Sequence, residues 1–457
     1  MKVLRFRGAK INAHINLDIV FKDDLSFITG INGSGKTTAL NCIISLLMPK
    51  LEYLTIQPYE YISLYLENEG QRFTLSSRRT KSGASISVDI IPDMPLDVFS
   101  VELDDSVPPS RNREMEQTFF REQMARNANH PVLKFIQKLP TPMFLGLDRR
   151  AMYQDETLQR YPNGNYSYNG VRRRNVFSQS LSQSLSEALG FALETHRNAQ
   201  RMKLRFDDKF RQDLVLDLIE FTPSNFTGVL ALPTSDDFAK IEAAKKNLQR
   251  LPELLGVSED DVFAKIAPLF DFFDETRKNI SGSKRKNKEH RTEAEMSANI
   301  LWGLNKTHLS KISTISDRIS KYNQQVVRLF RETDNFISAL SLFFSDSGKK
   351  VRFDNFGDLV FSTSGDKSDH DLRALSSGEV QLIVILAHLH FNPEVKKASV
   401  FIIDEPELSL HVEWQEKFVD AVLSSSKNTQ LIMATHSPSI ILDKLDNCID
   451  ITPSELT

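Results

Sequence analysis

The run LSFITGINGSGKTTALNCIISLLM, residues 25–48, constrains this chain more than any other stretch. An apolar segment of strand character ends at Thr29 and a glycine-rich turn follows at once. Helical apolar spacing then begins at Lys36 and stops before Pro49, which can donate no backbone hydrogen bond. The turn itself, GINGSGKTT at 30–38, fits G-x-x-x-x-G-K-[ST]. Its glycines let consecutive backbone N–H groups turn inward around a phosphate while the new helix presents its positive end. The expected cradle comprises Asn32, Gly33, Ser34, Gly35, Lys36, Thr37 and Thr38. Lys36 is expected to reach the β- and γ-phosphates of ATP, and the Thr37 hydroxyl to ligate Mg2+.

Three further motifs follow in order. SVFIIDEPE at 399–407 is an apolar strand running into acids. A buried strand with a carboxylate at its end is how a P-loop sheet holds a metal, so Asp404 is assigned to Mg2+ and Glu405 is the candidate general base. On its own the same pattern also marks an ordinary strand-to-loop junction; the phosphate loop is what tips it toward function. LSSGEVQ at 375–381 opens an apolar helix, with Ser376 and Glu379 forming an S-x-x-E capping box that any helix start can use. The small Ser377 and Gly378 leave this second helix N-terminus open to a phosphate. One chain cannot easily bring both helix ends to one γ-phosphate, which places the second end on a neighbouring copy. LIMATHSP at 431–438 ends another apolar strand in His436, about thirty residues past the acids, where it would touch the γ-phosphate and report ATP against ADP. A lone histidine is often structural; the order of the motifs favours the functional reading.

With 457 residues the chain has room for two or three domains, or for one domain with a large insertion. A formal net charge of -3 excludes a uniformly basic nucleic-acid binder, so any nucleic-acid contact must be a local patch. Two cysteines, Cys42 and Cys448, can build neither a disulfide framework nor a four-cysteine zinc site within one copy. There is no signal-peptide core and no apolar run of membrane-spanning length, so a cytoplasmic protein without membrane contact is expected.

Residues 1–29 read as two or three strands, 51–105 as a β-rich subdomain, and PTPMFLGL at 140–147 as a strand returning to the main sheet. From Gln179 to Phe344 helical spacing dominates, broken by Pro223, Pro233, Pro252 and Pro268. The basic stretch 281–291 reads as a hairpin tip or mobile linker, and KVRFDN and DLVFST as two short strands. The expected division is an N-terminal half at 1–150, a helical insertion at 151–335 and a C-terminal half at 336–457.

Together these residues resemble the ABC-type ATPases: GINGSGKTT as Walker A, LSSGE as the signature, FIIDEPE as Walker B, ELSLH as the D-loop and THSP as the switch histidine. The long helical interval before the signature is similar to the branch containing RecF, the zinc-hook repair ATPases, the structural-maintenance-of-chromosomes proteins and the OLD-family ATPases. Within it, DEPELSLH and LSSGEVQ resemble ATPase subunits of two-gene anti-phage systems such as Septu and PARIS. The resemblance covers roughly 1–150 and 335–457. It implies an α/β fold, a P-loop ABC-type ATPase head with a mixed sheet and β-subdomain plus a helical insertion.

It also implies ATP and Mg2+ as cofactors, and a head-to-tail dimer or a higher even oligomer such as a hexamer. A separate effector or nuclease subunit would be the partner. No Cys-x-x-Cys occurs in the insertion, so a zinc hook is not expected. Only 21 residues follow His436, so a Toprim nuclease domain is not expected after the motifs either. Gln154 is the Q-loop candidate. Arg149, Arg150, Arg172, Arg173 and Arg174, beside a tyrosine-rich segment, could grip nucleic-acid phosphates; a solvated loop or an intersubunit salt-bridge site is the other reading. Direct DNA binding of RecF type and a non-hydrolysing ATP-gated sensor or scaffold are the alternative functions.

Overall fold

The computed structural model describes residues 1–101, 109–140, 142–145, 151–152, 179–219, 233–282, 288–393, 395, 400–408, 410–425 and 429–451. The first 29 residues form β1 (Lys2–Ile11), β2 (Ile15–Val20) and β3 (Leu25–Thr29), ahead of the helix Lys36–Leu47. Next come β4 (Tyr61–Asn68), β5 (Gln71–Thr80), β6 (Gly83–Val88), β7 (Leu96–Phe99), β8 (Met143–Leu145) and β9 (Ala151–Met152). Late in the chain lie β10 (Lys349–Phe353), β11 (Leu359–Thr363), β12 (Asp366–Asp371), β13 (Val400–Asp404), β14 (Gln430–Ala434) and β15 (Cys448–Asp450). The fold is mixed α/β.

Three sheets result. β2-β1-β4-β5-β6-β7 is antiparallel throughout, as is the smaller β10-β11-β12. The main sheet, β15-β3-β14-β13-β8-β9, is parallel except at the β8–β9 pair, so the strand expected at 140–147 does join it.

Side chains of this sheet alternate between two cores, as the twofold strand period requires. Ile28, Phe144, Ile402 and Ile432 pack on one face with the helix Lys36–Leu47 and the first antiparallel sheet. Phe27, Leu145, Phe401 and Met433 pack on the other with the helix Ser377–Phe391 and the small sheet. That second helix is buried from Gly378 to Phe391, which its all-round apolar sequence dictates.

Contacts divide the chain into one unit of residues 1–195 and 332–457 and another of 196–331. The second unit is helical. Trp302 is fully buried there, 5.7 Å between ring centroids from both Phe273 and Phe238. Arg318 bridges Asp213 at 3.0 Å and also pairs with Asp217.

Several local expectations need correction. Pro268 does not break a helix but sits inside Glu259–Gly282, whose Phe270 and Phe273 pack in the apolar cluster around Trp302 against the roughly 3 kcal/mol that an interior proline costs. Pro252, by contrast, occupies the second position of Leu251–Leu255, where its missing N–H is harmless. Of the stretch 281–291, residues 281–282 end one helix and 288–291 begin the helix Lys288–Phe344, while 283–287 lie outside the described residues. A third strand, β12, follows the two expected near 350–363; its sequence DKSDHD has no apolar alternation because it is a polar sheet edge. The six-residue helix Leu51–Ile56 is too short to show a period. Among the described residues no helix is long and apolar enough to cross a membrane.

Candidate nucleotide site

In the parallel register Asp404 lies opposite Ala434, and Ala434 opposite Ile28. The carboxyl ends of neighbouring β3, β14 and β13 therefore set loop 30–35, Thr435–His436 and Asp404–Glu405 side by side. This is the edge where an open parallel sheet offers a ligand its crevice. Backbone bonds carry the alignment past the strands: Glu405 N–H donates to the Ala434 carbonyl at 2.8 Å, and Thr435 N–H to that of Ile28 at 3.2 Å.

Gly33 and Gly35 adopt φ of +85° and +96°, a region that costs a residue with a Cβ about 1–2 kcal/mol. At Gly35, the N-cap of the helix, a Cβ would also come within 3.4 Å of Ile15. Asn32 and Gly33 are exposed, and the buried Ser34 hydroxyl finds no hydrogen-bond partner among the described residues. Lys36, 5% exposed, points its ammonium back over the loop, donating to the Gly30 and Ile31 carbonyls at 3.0 and 3.2 Å and lying 3.5 Å from His436 Nδ1. Burial lowers the Lys36 pKa, against the opposing pull of Glu405, Asp404 and Glu407. Thr37 and Thr38 occupy the first turn of the same helix.

Asp404 ends β13 almost fully buried, with neither carboxylate oxygen hydrogen-bonded among the described residues. Burial pushes its pKa up to about 6; the Thr37 hydroxyl and Lys36 ammonium pull it back, while Glu405 and Glu407 add to the rise. An orphaned carboxylate near a threonine hydroxyl is a hard-oxygen donor set that suits Mg2+. No group of three or more His, Cys, Asp or Glu side chains able to hold a metal occurs among the described residues. A cation here would thus rely on phosphate and water oxygens as well.

The raised pKa also has a sign for stability. Neutral Asp404 favours the folded chain fully below the unfolded value of 3.8, and that contribution is lost as pH rises through about 6. Asp404→Asn is therefore expected to stabilise the nucleotide-free protein by roughly 2 kcal/mol at pH 8 and by little at pH 4. Thermal unfolding at the two pH values checks this; an equal shift at both would contradict it.

Glu405 takes φ of +49°, a left-handed conformation unusual for glutamate. Its carboxylate lies 3.8 Å from His436 Nε2. Glu407, the second glutamate of DEPE, joins the site without a motif role that would single it out in the sequence. Its Oε1 accepts from the Thr435 hydroxyl at 2.8 Å and the His436 backbone N–H at 2.7 Å. Gln415 joins the site from outside any motif; its side-chain oxygen accepts from the Ser437 hydroxyl at 2.6 Å.

The residues Ser376–Glu379 form the expected capping box, with Glu379 accepting from Ser376 N–H at 2.8 Å and Ser376 Oγ from Glu379 N–H at 3.4 Å. Burial alone would raise the Glu379 pKa, but Lys349 of β10, at 2.5 Å, and Ser376 outweigh it and hold the carboxyl below its usual range. Gly378 is buried, whereas Ser376 and Ser377 face solvent. This helix lies on the opposite sheet face from the helix Lys36–Leu47. Arg149, Arg150, Gln154, Arg172, Arg173 and Arg174 lie outside the described residues.

A phosphate loop aligned with strand-end acids and a strand-end histidine is the arrangement of a P-loop ATPase. The family model described as "AAA domain, putative AbiEii toxin, Type IV TA system" (AAA_21) matches residues 169–443, and the chain belongs to that family. A Vibrio cholerae serotype O1 biovar El Tor protein named "Retron Vc95 probable ATPase" is 27% identical over 143 residues, 29% of this chain and 28% of that protein. The match thus spans little more than a quarter of that relative's length. Among solved structures, the chain is similar to the Smc head domain with an extended coiled coil bound to the C-terminal domain of ScpA from Pyrococcus furiosus. There the identity is 13% and the TM-score 0.38, over 98% of this chain and 92% of that one. The SMC head domain from Thermotoga maritima is similar at 12% identity and a TM-score of 0.35, over 96% and 91%.

Proposed function

We propose that this chain is a Mg2+-dependent ATPase whose working unit is a head-to-tail homodimer, or a higher even oligomer. Its ATP cycle would control an associated nuclease in bacterial defence of the two-gene anti-phage kind. The observation that supports the dimer is the packing of the helices Lys36–Leu47 and Ser377–Phe391 on opposite faces of one sheet. In the proposed dimer the second helix N-terminus at each γ-phosphate comes from the other copy. The family description names a toxin–antitoxin system and the Vibrio relative's name a retron, and the effector half of the proposal draws on those names.

The chemistry follows from the edge residues. The loop N–H groups and Lys36 bind the triphosphate. Thr37 and Asp404 hold Mg2+, which when bound neutralises phosphate charge. Glu405 orients the attacking water and takes its proton, and His436 contacts the γ-phosphate. Ser376, Ser377, Gly378 and Glu379 of the partner copy close the site.

Mixing inactive variants tests the shared site. Protomers with Lys36→Ala and protomers with Ser377→Arg are each expected to lack turnover. A mixed dimer carries one intact site of two, so the mixture is expected to regain turnover that neither component has. A mixture no more active than its components would rule the arrangement out.

A further inference from the structure

We infer that Glu407 is the positioning residue for His436, with Gln415 as its second anchor; this rests on the role given to His436 above. The observation is a closed set of hydrogen bonds between the segment after the acids and the loop after β14. Glu407 Oε1 receives the Thr435 hydroxyl at 2.8 Å and the His436 N–H at 2.7 Å. Thr435 Oγ1 in turn accepts from Ser437 N–H at 3.0 Å. A carboxylate oxygen only accepts, so the direction of the hydroxyl proton is fixed.

The Gln415 tie repeats the pattern. Its oxygen accepts from Ser437 Oγ at 2.6 Å, Ser437 Oγ accepts from Ser439 N–H at 3.2 Å, and its amide nitrogen donates to the Leu410 carbonyl at 2.9 Å. Thr435 is fully buried, whereas the His436 N–H bond to Glu407 lies at the exposed rim of the set.

What they hold in place is the imidazole. Its Nδ1 lies 3.5 Å from the Lys36 ammonium and its Nε2 3.8 Å from the Glu405 carboxylate, which puts the ring between the phosphate-loop lysine and the proposed base. Strand β14 stops at Ala434, and the sheet ladder no longer fixes the backbone at 436. Glu407 takes over that task. Misplacing a reacting group by about 1 Å costs on the order of a hundredfold in rate.

Steady-state turnover and ATP affinity are measured for Glu407→Ala, Glu407→Gln and Thr435→Val, each alone and combined with His436→Ala. Glu407→Ala is expected to lower kcat by about 10- to 100-fold with the ATP Kd changed by less than about threefold. Glu407→Gln keeps an accepting oxygen and is expected to stay within about threefold of wild type. In the His436→Ala background, Glu407→Ala and Thr435→Val are expected to add less than about twofold, because they act through the missing ring. An undiminished kcat for both Glu407→Ala and Thr435→Val, or the same loss with and without His436, overturns the inference. Wild-type turnover by His436→Ala alone would also remove the catalytic role of His436, which separates failure of that reading from failure of this one. Should Glu407→Ala not fold, Thr435→Val keeps the side-chain shape and removes the hydroxyl half of the tie while leaving the His436 N–H half, and its kcat decides the matter.

Discussion

Lys36→Ala is expected to abolish ATP turnover and to weaken ATP binding by about 100-fold, the larger part of which is electrostatic. Lys36 is the cation at a sheet edge that also carries Asp404, Glu405 and Glu407, and its pKa responds to all three. With the ammonium removed, a triphosphate would approach these carboxylates with one fewer opposing charge. The lysine is also nearly buried, its nitrogen 3.0 and 3.2 Å from two loop carbonyls, so little water stands between it and an anion in the cradle. Lys36→Met separates charge from bulk: it keeps most of the side-chain volume and is expected to lose the same affinity. Titration with a fluorescent ATP analogue reads both variants. Unchanged affinity in Lys36→Met would mean that the loop binds without its lysine and would sink the assignment.

The phosphate loop was legible because its requirement is local. Glycines at 33 and 35 are needed for backbone angles that a Cβ disfavours, and the flanking strand and helix can be read from neighbouring residues. The apolar runs LSFIT, VFIID and QLIMA likewise announced β3, β13 and β14. Buried parallel strands, however, are apolar on both sides, so the sequence does not say which face any residue takes. That Phe401 and Ile402 belong to different cores, and with them the two helices, emerges only when the strands are assembled.

Glu407 was hidden for a related reason. Its partners Thr435 and His436 lie about thirty positions later in the sequence, and only the pairing of Asp404 with Ala434 across two strands brings them together. The polar edge strand β12 offers no apolar alternation to read, and at the proline inside Glu259–Gly282 tertiary context overrules the local helix-breaking signal. Ser376 and Glu379 illustrate a different limit: the capping box exists, and its existence neither requires nor excludes a phosphate partner.

Glu405→Gln is expected to separate binding from hydrolysis. The left-handed backbone at Glu405 costs about 1 kcal/mol or more and is held by its N–H bond to Ala434 and by Leu408 N–H donating to its carbonyl at 3.2 Å. That turn directs the carboxylate toward His436 and away from the continuing strand direction. Glutamine preserves the size and the turn and removes only the ability to take a proton. Turnover is expected to fall by about a thousandfold, within the range for loss of a general base, with ATP affinity retained. Since ATP bridges the two copies in the proposed dimer, the variant is expected to accumulate as a closed oligomer in ATP, whereas Lys36→Ala remains dissociated. Light scattering after size exclusion in Mg-ATP compares the two directly. If both variants associate to the same extent, nucleotide is not what joins the copies, and the opposite placement of the two helices must serve some other end.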